Sequence, residues 1–74
     1  MTRDDFDRIE ERLKTGGNIR ICNSCRVFLV TSKAYWAWRN VGRPLLKWSD
    51  KGLWMARGRT YDFFPFGTFA VQDN

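Results

Sequence analysis

The sequence predicts an α+β fold in which an N-terminal helix and two further short helices precede a C-terminal antiparallel β-hairpin or small sheet. Three observations lead there. Apolar residues recur at helical spacing in the first half of the chain, and Gly and Pro punctuate the second half at hairpin-like intervals. The 74 residues suffice for a single small domain, 1–74, because so short a chain buries only about 60% of its unfolded surface. A core that small leans on large side chains, and six Phe, four Trp and two Tyr supply them.

The first helix is expected from about Arg3 to Thr15. Thr2 precedes Asp4 and Asp5, Phe6, Ile9 and Leu13 share one face, Arg12 and Lys14 sit near the negative end, and Gly16-Gly17 stops it with a left-handed glycine. From Asn18 to Val30 two periodicities fit. Ile21, Cys22, Cys25, Phe28 and Leu29 recur at helical spacing with Asn18 as N-cap, which favours a helix from Ile19 to Leu29. Ile19 to Ile21 and Val27 to Thr31 also read as two β-rich arms about Asn23-Ser24. Thr31 and Ser32 then cap a helix from Lys33 to about Val41, ended by Gly42-Arg43-Pro44.

Beyond Pro44, Leu45–Ser49 and Leu53–Arg57 flank Asp50-Lys51-Gly52, a tight hairpin turn with Gly52 at a positive φ. A short helix from Ser49 to Gly58 is disfavoured because Gly52 would lie inside it. Gly58-Arg59 is a second turn, Thr60–Phe64 and Phe66–Val71 are further strands, and the last three residues are expected to fray.

Charge is unevenly placed. Residues 1–15 carry four basic and five acidic groups, whereas Arg20 to Arg59 carries nine Lys or Arg against Asp50 alone, together with all four tryptophans. A basic, aromatic segment without histidine points to a polyanionic partner, whether nucleic acid, an acidic protein surface or an anionic membrane surface, and of these nucleic acid or an acidic protein surface is expected. No apolar run approaches the ~20 residues that span a membrane, and the acidic start is unlike a signal peptide, so a cytoplasmic location is expected.

Cys25 to Pro44 contains the parts of a helix-turn-helix: Cys25 as the small contact residue, Phe28 and Val30 as anchors about the turn, Thr31 or Ser32 as cap, and Tyr35 and Trp38 facing inward. The run Ser32-Lys33-Ala34-Tyr35-Trp36-Ala37-Trp38-Arg39-Asn40-Val41-Gly42-Arg43-Pro44 resembles the recognition helix and exit of small phage-type repressors and excisionases. Leu29 departs from the pattern by occupying the turn position usually filled by glycine. The resemblance implies a DNA-binding transcriptional regulator. Lys33, Trp36, Ala37, Arg39 and Asn40 would form the outer face, with Lys33 and Arg39 on phosphates and Asn40 on adenine. Arg43, Lys47, Lys51, Arg57 and Arg59 would line a β-hairpin wing.

Trp36 and Trp38 cannot share a helix face, and Trp36 is expected to be the exposed one, available to a base or to a protein partner. A protein-binding inhibitor or adaptor acting on a larger machine such as RNA polymerase is therefore the alternative. Cys22 and Cys25 read as buried structural thiols. With no histidine and no second cysteine pair, zinc would need carboxylates within one chain or four thiolates shared across a dimer, and a redox pair is the remaining alternative, so no cofactor is expected. The absence of histidine, of a nucleophile beside a base and of a phosphate-cradling glycine loop points away from an enzyme.

Overall fold

In the computed structural model, which describes residues 1–74, the elements run α1 (Arg3–Lys14), β1 (Ile19–Asn23), β2 (Val27–Val30), α2 (Ser32–Asn40), β3 (Leu46–Trp48), β4 (Gly52–Arg57), β5 (Thr60–Pro65) and β6 (Phe69–Asp73). They form two three-stranded antiparallel sheets, ordered β2-β1-β6 and β3-β4-β5. This corrects the expected fold. The chain is a mostly-β small domain, two strands separate its helices, and the segment directly before Thr31 is strand β2 rather than the first helix of a helix-turn-helix.

α1 forms as expected. The Thr2 hydroxyl accepts from the Asp5 amide at 3.2 Å, and the Asp5 carboxylate accepts from the Thr2 amide at 3.0 Å, closing a capping box. At the other end Gly16 has a φ of +96°, and the Gly17 amide donates to the Arg12 carbonyl at 2.9 Å. Phe6 and Leu13 are buried on its inner face.

Residues 19–30 form a hairpin, and the turn shows why the helical reading loses. The Asn23 side-chain oxygen accepts from the amides of Cys25 (2.9 Å) and Arg26 (2.8 Å), and the Asn23 amide donates to the Arg26 carbonyl at 2.9 Å. This local closure competes with a helix. Ile19, Ile21 and Val30 then point into the core, while the register Arg20↔Leu29 and Cys22↔Val27 turns those residues outward. Asn18, expected to cap a helix there, instead accepts from the Ser32 amide at 3.1 Å, tying the start of β1 to the start of α2.

α2 is capped by Thr31, whose hydroxyl accepts from the Ala34 amide at 3.0 Å, and Ser32 donates from its hydroxyl to the Leu13 carbonyl, anchoring α2 on the end of α1. The helix ends in a Schellman turn. Gly42 has a φ of +78°, its amide donates to the Arg39 carbonyl at 2.9 Å, and the Arg43 amide donates to the Trp38 carbonyl at 3.1 Å.

The second sheet matches the expected hairpin with one correction. Gly52 is a strand residue, absent from the positive-φ glycines 16, 42, 58 and 67. Gly58 does open its turn at a φ of +59°, as a two-residue II′-type hairpin requires. The C-terminus is ordered rather than frayed, since β6 runs to Asp73 against β1 and the Asn74 amide reaches the Asn18 carbonyl at 3.2 Å.

Both sheets and both helices share one core, built on Leu13, Ile19, Ile21, Tyr35, Leu46 and Leu53 among others. An aromatic series seals one side of it: Phe6–Trp48 (5.9 Å between ring centroids), Trp48–Phe66 (5.2 Å), Phe66–Phe69 (6.2 Å), Phe69–Phe64 (6.0 Å) and Phe64–Phe28 (5.3 Å). Such pairs add about 0.5–1.5 kcal/mol each beyond the area they bury. No helix is long and apolar enough to cross a membrane.

The α1 cap has a pH signature. The backbone amide of Thr2, then Arg8, then the Thr2 hydroxyl hold the Asp5 carboxyl below the usual carboxylate range. Its stabilising effect is therefore present above the unfolded carboxylate pKa and is lost as pH falls through the lowered folded value. Thermal melts at about pH 7 and about pH 3 should show a smaller acid loss for Asp5→Asn than for the native chain.

Candidate nucleic-acid interface

Ion pairing divides the basic residues into two groups. Near the N-terminus Arg3 pairs with Asp7 (3.3 Å), Arg8 with Asp5, and Arg12 with Asp73 (3.3 Å). Between Arg20 and Arg59 only Arg57 is paired, to Asp62 at 3.4 Å. Apart from Arg57, the positive field of the middle segment is thus left without acid partners.

Three of these cations are drawn together where α2 leaves its last turn and enters β3. The Schellman turn swings Arg43 back over Trp38, 5.0 Å from guanidinium carbon to ring centroid, and 5.8 Å from the Tyr61 ring. Lys47 places its Nζ 4.0 Å from the same Tyr61 ring, and Arg39 lies 5.9 Å from Trp36 while donating to the Tyr35 hydroxyl at 3.2 Å. Tyr61 is held in place by its own hydroxyl, which donates to the Pro44 carbonyl at 2.6 Å, and the Ala56 amide binds the Leu45 carbonyl at 2.8 Å. The loop carrying Arg43 is therefore fastened to the second sheet at two points. Beneath it Arg39 and Arg43 line a cleft of about 350 Å³ with Tyr35 and Glu10. The larger cleft, between α1 and β6, holds Arg12 already paired with Asp73, so its charge is internally spent.

The sheet face beside this cluster is aromatic. Lys47, Trp54 and Phe63 lie directly across the three strands from one another, with Ala56 opposite Tyr61 on the next outward rung. Leu46, Leu53, Met55 and Phe64 take the inward positions and are buried. Trp54 and Phe63 pack at 4.6 Å between centroids, and Phe63 remains 37% exposed. Gly52 makes this possible. A Cβ there would lie 2.6 Å from the Phe63 ring and would strike the Phe64 carbonyl oxygen, so the missing side chain is the space over which Phe63 rests.

Of the predicted site residues, Arg39, Arg43 and Lys47 are thus assembled, with Trp36 at their margin and 40% exposed as expected. Lys33 and Asn40 are exposed on α2, Asn40 next to Arg39 in the chain. Lys51 and Arg59 occupy the turns at opposite ends of β4, a six-residue strand and so about 20 Å long. Arg57 points to the inner side and is engaged by Asp62. The winged arrangement of these residues is consequently replaced by a cluster at the α2 exit. Trp54, Tyr61 and Phe63 were not among the predicted residues, although the alternation of Leu53 and Met55 with Trp54 and Ala56 contains the signal.

The cysteines correct another expectation. Neither is buried: Cys22 is half-buried on β1 and Cys25 is exposed in the turn, both as free thiols. No three metal-ligating side chains gather in the chain. Comparison with family models, with curated proteins and with solved structures finds no match.

Gly52→Ala should lower stability by about 1–3 kcal/mol, because the new methyl meets backbone as well as ring. A drop in the urea midpoint together with altered Trp54 fluorescence is expected, whereas an unchanged midpoint would mean that Phe63 does not rest on β4 there.

Proposed function

We propose that this chain is a small non-enzymatic regulatory domain that binds nucleic acid through Arg39, Arg43 and Lys47 at the α2 exit. One observation carries the reading: Arg43 and Lys47, without acid partners, meet at the Tyr61 ring and Arg39 lines the same cleft as Arg43, while every basic residue of α1 except Lys14 is neutralised by a carboxylate. Guanidinium and ammonium groups held over ring faces keep their hydrogen-bond donors available for phosphate oxygens. The mode differs from a recognition helix in a major groove, since α2 is preceded by a strand. Arg43→Ala/Lys47→Ala should bind a labelled oligonucleotide more weakly than the native chain and show a salt dependence shallower by about 1.4–1.8 in log–log slope, the loss expected for two phosphate contacts. Equal slopes for the two proteins would remove these residues from the interface.

A second reading, an inhibitor or adaptor that docks on a larger machine such as RNA polymerase, is favoured by a different face. Val27 and Leu29 are 61% and 57% exposed on the outward side of β2, an edge strand of the first sheet. An unpaired edge bearing apolar side chains can accept a strand from another protein. If that reading holds, a partner retained from nuclease-treated lysate is lost on Leu29→Lys and kept on Arg43→Ala/Lys47→Ala. The opposite pattern removes it.

A further inference from the structure

We infer that the outer face of the β3-β4-β5 sheet is a stacking platform for unpaired bases, so that the preferred ligand is single-stranded rather than duplex nucleic acid. This rests on the phosphate-binding role of Arg43 and Lys47 and assigns a substrate class to the same surface.

Four features of the face point there. Trp54 and Phe63 form a paired aromatic surface on the outward side, and the core has no use for them, because the inward positions of β4 and β5 are filled by Leu53, Met55 and Phe64. Gly52 and Ala56, the outward residues flanking Trp54 along β4, are the two smallest side chains available, so neither overhangs the half-buried Trp54 or the exposed Phe63 ring. Phe63 is supported from below by bare backbone at Gly52, so its position is set before any ligand arrives. Finally, Lys47 lies in register with Trp54 and reaches Tyr61, where Arg43 also converges, placing cations along one margin of the platform.

A base has a flat π-face on each side and a phosphate one sugar away, which is the combination that ring and cation together accommodate. In duplex form those faces are already occupied by neighbouring base pairs. A flat sheet face cannot reach them without unstacking the helix. An apolar protein surface would leave Lys47 and Arg43 unanswered, which favours the polyanion as occupant.

The test uses the full chain with a fluorescein-labelled dT15 strand and with a 15-base-pair duplex carrying the same label. dT15 should bind at least about ten-fold more tightly than the duplex and quench tryptophan fluorescence. Phe63→Ala and Trp54→Ala should each weaken dT15 binding about ten-fold, Trp54→Phe should restore most of it, and duplex binding should not change. Photocrosslinking of the native chain to a 4-thiothymidine strand, which does not depend on any variant folding, should label Trp54 or Phe63. Weakened dT15 binding in Arg43→Ala/Lys47→Ala but not in the aromatic variants, or crosslinks confined elsewhere, would overturn the platform while leaving the phosphate-binding reading intact. Tighter binding of duplex than of dT15 would also overturn it. Absence of binding to either probe at low salt would overturn both, and self-association dependent on Trp54 and Phe63 would identify a second copy as the occupant instead.

Discussion

The core is filled from one face of each sheet, and that economy governs the remaining structure. Ile19 and Ile21 on β1 and Leu53 and Met55 on β4 are the inward residues of the two central strands, joined by Phe6 and Leu13 of α1 and by Tyr35 of α2. A domain of this size has no further layer with which to cover the outward faces. What stands on them is free of the packing constraint, so the two faces can be compared for chemistry. The first sheet shows Val27 and Leu29, and the second shows Lys47, Trp54, Tyr61 and Phe63.

Aromatic residues accordingly separate into two populations. Phe6, Trp48, Phe66, Phe69, Phe64 and Phe28 form the series that seals the core. Trp54 with Phe63, and Trp36 with Arg39, lie outside it. The cations separate in parallel, those of α1 being held largely by nearby carboxylates and those at the α2 exit by aromatic rings and, for Arg39, the Tyr35 hydroxyl. Exposed ion pairs contribute little to stability, and their consequence here is mainly to remove α1 from the positive field.

Local signals were legible where a cap or a glycine turn decides the structure by itself. Thr2 with Asp5, Gly16, Thr31, Gly42 and Gly58 each mark an element end that the structure retains. The segment Ile19–Val30 was not legible from periodicity, because Ile21, Cys22, Cys25, Phe28 and Leu29 satisfy a helical spacing as well as a strand one. What selects the strands is the Asn23 turn together with pairing to β6, which lies some fifty residues along the chain and leaves no trace in a local window. Gly52 was misread for a similar reason: its lack of a Cβ serves Phe63, a contact made across strands. The candidate site was half legible, since charge selected Arg39, Arg43 and Lys47 and the alternation along β4 marked Trp54, but strand register was needed to add Tyr61 and Phe63.

The claim that the functional surface is the α2 exit together with the outer face of β3-β4-β5 can be examined residue by residue in solution. A ¹⁵N-HSQC titration of the chain with a short single-stranded oligonucleotide should move the amides of Arg43, Lys47, Tyr61 and Phe63 and the indole N–H of Trp54, leaving α1 and the Trp48 indole in place. Largest shifts at Val27 to Leu29 or along α1, with the Trp54 indole unmoved, would contradict it.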